Sequence, residues 1–187
     1  MSCTPNFFCA RILVVDDSVF ARRLISIALK NAGFARVTTA DDGADAVRKT
    51  YELRPDLVLL DLAMPNLDGF GYCEMVRKDP SLTRMPIIVQ TAMEDRQSRL
   101  HALSCGADDF LTKPLDMAEL TLRICTHVER YFMLREMENM CDYLKMELDV
   151  VQKLRPDIEG AVFSPTDKGN MENHLEVLEE LAFLSSK

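Results

Sequence analysis

Five short strand-like segments alternate with segments of helical periodicity, and this alternation restricts the chain to very few folds. The predicted strands cover residues 12–15, 36–39, 56–61, 86–89 and 109–112, and the first, third and fourth are nearly continuous apolar runs. Between them, apolar side chains recur at helical spacing over residues 18–31, 43–53, 69–78 and 95–105, and a further helix begins near Asp116. Runs that are apolar on both faces are typical of strands buried in a parallel sheet. We therefore predict an α/β fold in which helices cover both faces of one parallel sheet.

Polar residues follow the predicted strands at the same end. Asp16 and Asp17 follow the first strand, Asp61 ends the third, and the fourth and fifth are followed by Thr91 and Lys113. Each has an ordinary explanation when taken alone, since Asp commonly caps helices, Thr favours strands and Lys is usually solvated. The carboxyl ends of parallel strands meet at one edge of the sheet, where ligands bind in this class of fold. The five side chains are therefore predicted to form one site.

Three carboxylates at one place require a cation. Mg²⁺ prefers oxygen ligands and retains several waters, so Asp17 and Asp61 are predicted to be direct ligands and Asp16 to act through a bound water. Once the metal is bound, a phosphoryl group can approach, and Asp61 can attack it to form an acyl phosphate. Phosphoryl transfer depends mainly on positioning and charge stabilisation. We predict that Lys113 and Thr91 supply these by contacting phosphoryl oxygens.

Further motifs surround these residues, and together they resemble the receiver family of bacterial two-component response regulators, chemotaxis regulators included. The matching residues are Asp16-Asp17, Asp61, Met64-Pro65, Asp68-Gly69, Thr91-Ala92 and the run from 106 to 114. The resemblance covers residues 10–128 and implies a (βα)5 flavodoxin-like, doubly wound fold. It also implies Mg²⁺-dependent phosphorylation of Asp61 by a sensor histidine kinase or a phosphotransfer protein.

The resemblance also assigns roles to residues around the site. It implies that the backbone carbonyl of Ala63 is a third protein ligand for Mg²⁺ and that the Lys113–Pro114 bond is cis. It implies a switch in which Thr91 moves toward the phosphoryl group and Phe110 rotates inward. In this family the residues two positions after the phosphoacceptor and after the threonine influence the phosphate lifetime. Here they are Ala63 and Met93, which cannot hold an attacking water, so we predict slow autodephosphorylation; a half-life of seconds would contradict this.

The last predicted helix continues beyond the end of a lone receiver domain. No proline or glycine interrupts residues 116–155, and the extension over 129–155 repeats apolar residues at spacings of three and four. The repeating positions are Leu134, Met137, Cys141, Leu144, Leu148 and Val151. This heptad pattern predicts a parallel coiled coil, and hence a homodimer through the C-terminal helix. The alternative is an amphipathic helix that lies on its own receiver domain.

Pro156 is predicted to end this helix. Residues 156–170 contain two prolines and two glycines and are predicted to be a linker, and residues 171–187 are predicted to form a short amphipathic helix. Residues 148–156 resemble the linker before PP2C-type phosphatase domains, and 178–182 resemble the helix that leads into diguanylate cyclase domains. The alternative function is therefore the regulatory fragment of a larger output enzyme whose catalytic domain is not in this chain.

A phosphoacceptor of this kind is not predicted to be a turnover enzyme. A hydrolase of the haloacid dehalogenase type would also use an aspartyl phosphate and Mg²⁺ on an α/β sheet. That family requires an Asp two residues after the nucleophile, and this chain has Ala63 there. The hydrolase interpretation is therefore disfavoured, and steady turnover of a phosphate ester would revive it.

The acidic residues are concentrated in the C-terminal part of the chain. Residues 115–187 carry 8 basic and 15 acidic side chains, a net charge of −7 out of a total of −8, which disfavours binding of nucleic acid.

The six cysteines show no metal-ligand spacing and indicate free thiols in a reducing cytoplasm. Residues 1–9 form an N-terminal tail without a signal-peptide pattern, and no apolar run reaches the roughly 18 residues of a membrane span. We predict a cytoplasmic protein without a membrane partner.

Overall fold

The structure, a computed structural model, describes residues 7–92, 100–101 and 103–162. A 3-10 helix, Phe7–Cys9, precedes strands β1 Arg11–Val15, β2 Arg36–Ala40, β3 Leu57–Asp61, β4 Ile87–Thr91 and β5 Asp109–Thr112. The described helices are α1 Val19–Asn31, α2 Gly43–Leu53, α3 Gly69–Arg77 and α4 Met117–Val162. The helix predicted over 95–105 lies largely outside the described residues, although its described part is helical before the turn that begins at Cys105.

The strands form one sheet in the order β2-β1-β3-β4-β5, and all neighbouring strands are parallel. This confirms the predicted α/β, doubly wound, flavodoxin-like (βα)5 fold. Strand β1 has β2 on one side and β3 on the other, so the order of the strands reverses beside β1. In sheets of this kind, ligands bind at the carboxyl ends of the strands next to that reversal. The ends of β1 and β3 are therefore the expected place for a site.

Each face of the sheet carries its own hydrophobic core. Helices α2 and α3 cover one face, with core residues that include Leu13, Val58, Leu60, Tyr72, Val76 and Val89. Helices α1 and α4 cover the other, with Ile12, Val14, Ile25, Leu59, Ile88 and Ile124 among its core residues. Burial of each such side chain contributes about 1.5–3 kcal/mol. Because β3 is buried along its whole length, its last residue is held firmly at the edge of the sheet.

The last residues of the predicted N-terminal tail pack on the domain. The ring of Phe8 meets that of Phe34 edge to face, with 5.8 Å between the ring centroids. The backbone N–H of Ala35 donates to the carbonyl oxygen of Phe8 at 3.2 Å. Residues 7–9 therefore belong to the folded domain, while residues 1–6 lie outside the described residues.

The C-terminal helix is longer than predicted. The chain divides into two compact units, Met1–Met137 and Glu138–Lys187, and α4 runs from the first into the second and ends at Val162. The prediction that Pro156 ends the helix is therefore wrong. A proline inside a helix removes one hydrogen bond and costs about 3 kcal/mol, but it can kink a helix without ending it. The rest of the predicted linker and the helix predicted over 171–187 lie outside the described residues.

No helix in the described ranges combines the length and the apolar character that crossing a membrane requires. Helix α4 is long enough, but charged residues recur along it, among them Arg123, Glu129, Lys145 and Asp149. Its apolar residues therefore do not form the continuous stretch that a bilayer core demands.

Candidate functional site

Strand ends bring the predicted site residues together. Asp16 directly follows β1, Asp61 ends β3, Thr91 ends β4 and Lys113 directly follows β5. The carboxylates of Asp16, Asp17 and Asp61 each offer an oxygen atom within 4.8 Å of the others. Asp16 and Asp61 are buried, whereas Asp17 is exposed. Two of the three carboxylates are thus withdrawn from water, and the third faces it.

Helix capping would be an ordinary reason for an aspartate at these positions, but other residues cap the two helices that follow. Helix α1 begins with Ser18, whose side chain accepts a hydrogen bond from the backbone N–H of Ala21 at 3.3 Å. Helix α3 begins with Asp68, whose carboxylate accepts from the N–H of Gly71 at 2.8 Å. Because both helix starts are satisfied in this way, Asp17 and Asp61 are not required as caps.

Asp16 is fully buried, and donors from three segments of the chain fix its carboxylate. Oδ1 accepts the backbone N–H of Ser18 at 2.9 Å. Oδ2 accepts both the Lys113 ammonium and the Gln90 side-chain amide, each at 2.9 Å. In addition, the guanidinium of Arg22 donates to the Asp16 backbone carbonyl at 2.6 Å. The carboxylate is therefore held in one orientation before any ligand binds.

Asp61 shares its cation with Asp16. Its Oδ2 accepts from Lys113 Nζ at 2.6 Å, and its Oδ1 accepts from the backbone N–H of Ala63 at 3.3 Å. The pKa of Asp61 is raised, because burial and the charge of Asp16 oppose its ionisation more than Lys113 favours it. For Lys113, burial lowers the pKa, but the hydrogen bonds and the negative charges of Asp61 and Asp16 together outweigh burial and raise it. One ammonium therefore binds two carboxylates of a cluster of three, an arrangement that favours a further cation.

The donor set fits Mg²⁺. Carboxylate oxygens within a few ångströms of one another are hard ligands of the kind that Mg²⁺ prefers. Ala63, whose backbone carbonyl is the expected third protein ligand, lies two residues beyond Asp61 and is exposed. Asp17 leaves one side of the site open to water, and Mg²⁺ usually retains several water ligands.

The residues predicted to form the switch flank this cluster. Thr91 is 3% exposed, and its backbone carbonyl accepts the N–H of Lys113 at 2.8 Å. Phe110 is partly buried and packs against the core on the face covered by α2 and α3. The Lys113–Pro114 bond is cis, as predicted. Met93, which was predicted to influence the phosphate lifetime, lies outside the described residues.

A glycine allows α3 to start directly against the end of β3. A Cβ atom at Gly69 would lie 2.5 Å from the Asp61 carbonyl oxygen and 2.9 Å from Leu62 Cα. Both atoms belong to the backbone, so neither can move aside cheaply. Gly69 instead donates its N–H to the Leu62 carbonyl at 3.1 Å, which ties the start of α3 to the strand that carries Asp61.

The sequence patterns did not single out Gln90, which contacts Asp16. Its backbone pairs with that of Asp61 in the register of β3 and β4, and its side chain is fully buried. The sequence did contain a signal for Gln90. An amide is unusual directly after the apolar run Ile87-Ile88-Val89 and directly before a predicted site residue. The amide could be paired with Asp16 only once the strand order was known.

Comparisons with known proteins agree with this geometry. Residues 12–125 match the family model described as the response regulator receiver domain. The chain is 39% identical over 114 residues to the DNA-binding dual master transcriptional regulator RpaA of Synechocystis sp. and 42% identical over 115 residues to the response regulator PleD of Caulobacter vibrioides. These matches cover 61% and 62% of this chain but only 47% and 25% of the two relatives.

A solved structure shares both the fold and part of the sequence. The receiver domain of the Francisella response regulator 1452 superposes with a TM-score of 0.61 and 29% sequence identity. The superposition covers 65% of this chain and 98% of that domain. The similarity is therefore to a complete receiver domain, and it leaves about a third of this chain unmatched.

Proposed function

The chain belongs to the response regulator receiver family, and we propose that it accepts a phosphoryl group on Asp61 from a sensor histidine kinase or a phosphotransfer protein. The observation that carries this proposal is the environment of the Asp61 carboxylate. Lys113 Nζ lies 2.6 Å from it, and oxygens of Asp16 and Asp17 lie within 4.8 Å. A nucleophilic carboxylate, a cation and two further metal-type ligands are the parts that transfer to an aspartate requires.

Each residue has a defined part in this proposal. Asp17, Asp61 and the Ala63 carbonyl would hold Mg²⁺, and Asp16 would act through a water. The bound metal would supply positive charge that offsets the charge of the phosphoryl group. An Asp61 oxygen forms the new bond to phosphorus while the bond between phosphorus and the donor breaks. Lys113 and Thr91 contact phosphoryl oxygens and stabilise the negative charge on them.

The assay is incorporation of labelled phosphoryl groups from acetyl phosphate, followed with Mg²⁺ and with excess EDTA. We expect stoichiometric labelling with Mg²⁺ and loss of labelling in EDTA, because the carboxylates would then repel the anionic donor. Labelling that is unaffected by EDTA would contradict the metal site. Steady release of phosphate from simple phosphate esters would contradict the phosphoacceptor role and favour a hydrolase.

We further propose that phosphorylation controls dimerisation or partner binding through the C-terminal helix, with Thr91 and Phe110 as the switch. Phe110 lies on β5 one residue before Leu111, which packs in the core that α4 covers. A displacement at β5 can therefore be transmitted to α4 through packed side chains. The apolar stripe of the heptad pattern is exposed, with Leu144 at 54% and Leu148 at 57%, so a second copy of the chain could cover it.

The change Leu144→Asp is expected to weaken such a dimer at least about tenfold, because each copy then places a charge where an apolar seam must close. Analytical ultracentrifugation with Mg²⁺, with and without beryllofluoride as a phosphoryl mimic, measures this. The matched control is Met146→Asp, which introduces the same charge at a 70% exposed apolar residue on the opposite side of the helix.

Each result of this measurement has a definite meaning. A dimer that forms only with beryllofluoride makes assembly the phosphorylation-dependent output. A dimer in both conditions means that the coiled coil is permanent. Phosphorylation would then change the geometry of the dimer or its affinity for a partner. A monomer in both conditions, or equal effects of the two Asp variants, contradicts the coiled coil and favours a partner that binds the helix or a helix that lies on its own domain.

A second candidate function is the regulatory fragment of a larger output enzyme, such as a PP2C-type phosphatase or a diguanylate cyclase. The coverage of the relatives favours it, since the match spans a quarter of PleD and less than half of RpaA. An immunoblot of the source cells that shows only a longer protein would support it.

RpaA is described as DNA-binding, but we propose no nucleic-acid partner for this chain, because residues 115–187 are acidic. A gel shift at low salt tests this.

A further inference from the structure

Gln90 is a buried amide that contacts a carboxylate of the acidic cluster. Its side chain is fully buried, and its Nε2 donates to Asp16 Oδ2 at 2.9 Å. A second donation, to the Val15 carbonyl at 3.5 Å, is at the limit of hydrogen bonding. Its Oε1 has no hydrogen-bond partner within the described part of the chain. An apolar residue of the same size would avoid that destabilising, unsatisfied oxygen, so packing does not account for an amide here.

Gln90 and Lys113 both contact Asp16, but the Gln90 amide is neutral and the Lys113 ammonium is charged. Both groups donate to the same oxygen, Oδ2, at 2.9 Å. The ammonium of Lys113 also binds Asp61, and a divalent cation held by the acidic cluster would repel it. The amide of Gln90 is neutral and feels little of this repulsion. It is therefore the donor that can hold Oδ2 of Asp16 when a metal ion is bound, while the backbone N–H of Ser18 holds Oδ1.

From this arrangement we infer that Gln90 is a positioning residue for the metal site: it orients the buried Asp16 carboxylate from β4, and so sets the Mg²⁺ affinity. The inference rests on the proposed function, since it takes the acidic cluster to be a Mg²⁺ site. Partners behind the direct ligands commonly change metal affinity by about 10- to 100-fold. Gln90 acts on Asp16 and not on the phosphoryl group, so its effect is confined to the metal requirement.

The test is Gln90→Met, which keeps the length of the side chain and removes both the donor and the unsatisfied oxygen. Binding of Mn²⁺, which like Mg²⁺ prefers oxygen ligands, is measured from the EPR signal of the free ion. We expect binding to be about tenfold weaker. The Mg²⁺ concentration for half-maximal phosphorylation by acetyl phosphate should rise by a similar factor, with the rate at saturating Mg²⁺ little changed.

The matched control is Tyr72→Phe. The Tyr72 hydroxyl and Thr50 Oγ1 form a buried hydrogen bond of 2.7 Å between α2 and α3, on the other face of the sheet. We expect this variant to unfold at lower urea concentration and to bind Mn²⁺ like the wild type. Gln90→Met should show the reverse, with little loss of stability, because removal of the unsatisfied oxygen offsets the lost contact. Gln90→Leu is the second variant if methionine does not fit.

Failure of the inference and failure of the proposed function give different results. If the wild type binds Mn²⁺ and is phosphorylated, but Gln90→Met binds Mn²⁺ equally well, Gln90 is merely structural and the inference is wrong. A fall in the rate at saturating Mg²⁺ without a change in Mn²⁺ affinity would also overturn it. If the wild type neither binds Mn²⁺ nor accepts a phosphoryl group, the proposed function itself fails.

Discussion

Asp61→Asn is expected to abolish phosphoryl incorporation. An amide is not a nucleophile at neutral pH, so no acyl phosphate can form at residue 61. The domain should still fold, because Asn has nearly the same shape and Lys113 retains its hydrogen bond to Asp16 at 2.9 Å. Incorporation of label from acetyl phosphate in the presence of Mg²⁺ gives the direct readout, and we expect none above background.

The matched control for this substitution is Asp42→Asn. Asp42 lies on the same edge of the sheet and begins α2, where its carboxylate accepts the N–H of Asp45 at 2.8 Å. Asn caps helices as well as Asp does, so this variant should fold and accept the label normally. Label retained by Asp61→Asn would show that a different residue is the acceptor and would contradict the central proposal.

Asp61→Asn should also remove a pH dependence of stability. Burial raises the pKa of Asp61 above 3.8, so between 3.8 and the higher folded value the native state binds more protons than the unfolded state. Stability in metal-free buffer therefore falls as the pH rises through this window, and the ionised carboxylate disfavours folding above it. Urea unfolding at several pH values should show this fall in the wild type and a flatter profile in the variant.

Lys113→Met is expected to slow phosphorylation by acetyl phosphate roughly 10²- to 10³-fold, the usual effect of removing one preorganised group that stabilises developing charge. It should also destabilise the metal-free protein by about 3 kcal/mol, the lower end of the range for a buried charge left without its partner. Both effects have one cause, because the same ammonium lies 2.6 Å from Asp61 and 2.9 Å from Asp16. Initial rates and urea unfolding measure them separately.

The stability loss in Lys113→Met should depend on pH and on the metal. Without the ammonium, the pKa of Asp61 rises further above 3.8. The deficit is therefore small near that pH and grows as the pH rises from the folded pKa of the wild type to the higher folded pKa of the variant. Mg²⁺ should restore part of the lost stability, because it binds the native site and replaces some of the missing positive charge. A deficit that grows on acidification would contradict this account.

Arg123→Met is the control that separates stability from catalysis. Arg123 pairs with Asp109 at 2.8 Å, and Asp109 also contacts His127 at 3.1 Å. Asp109 begins β5, and Lys113 follows the other end of that strand. Removing this cation should reduce stability and leave the phosphorylation rate unchanged. If Arg123→Met and Lys113→Met slowed phosphorylation equally, the effect of Lys113→Met would be due to a loss of domain stability.

Local patterns in the sequence were sufficient to predict a parallel α/β sheet covered on both faces, and the family resemblance implied the flavodoxin-like fold. Strands β1, β3 and β4 are nearly continuous apolar runs because both faces of the sheet are covered. The helix over 43–53 was predicted with its observed bounds. Pro156 shows the limit of such local rules, since α4 continues through it to Val162. Helix propensity gives the free-energy cost of a proline at one position. Whether the helix continues depends on the free energy of the whole segment.

The sequence by itself determined which strand ends carry Asp61, Thr91 and Lys113, because each residue directly ends or follows an apolar run and parallel strands share one edge. Only the tertiary structure decided that Ser18, and not Asp17, caps α1, and that Gln90 contacts Asp16. Gln90 and Asp16 are 74 positions apart; Gln90 lies on β4 and Asp16 directly follows β1, with β3 between these two strands. Such a contact depends on strand order and side-chain direction, which are set by packing across the whole sheet and leave no periodic trace in the sequence.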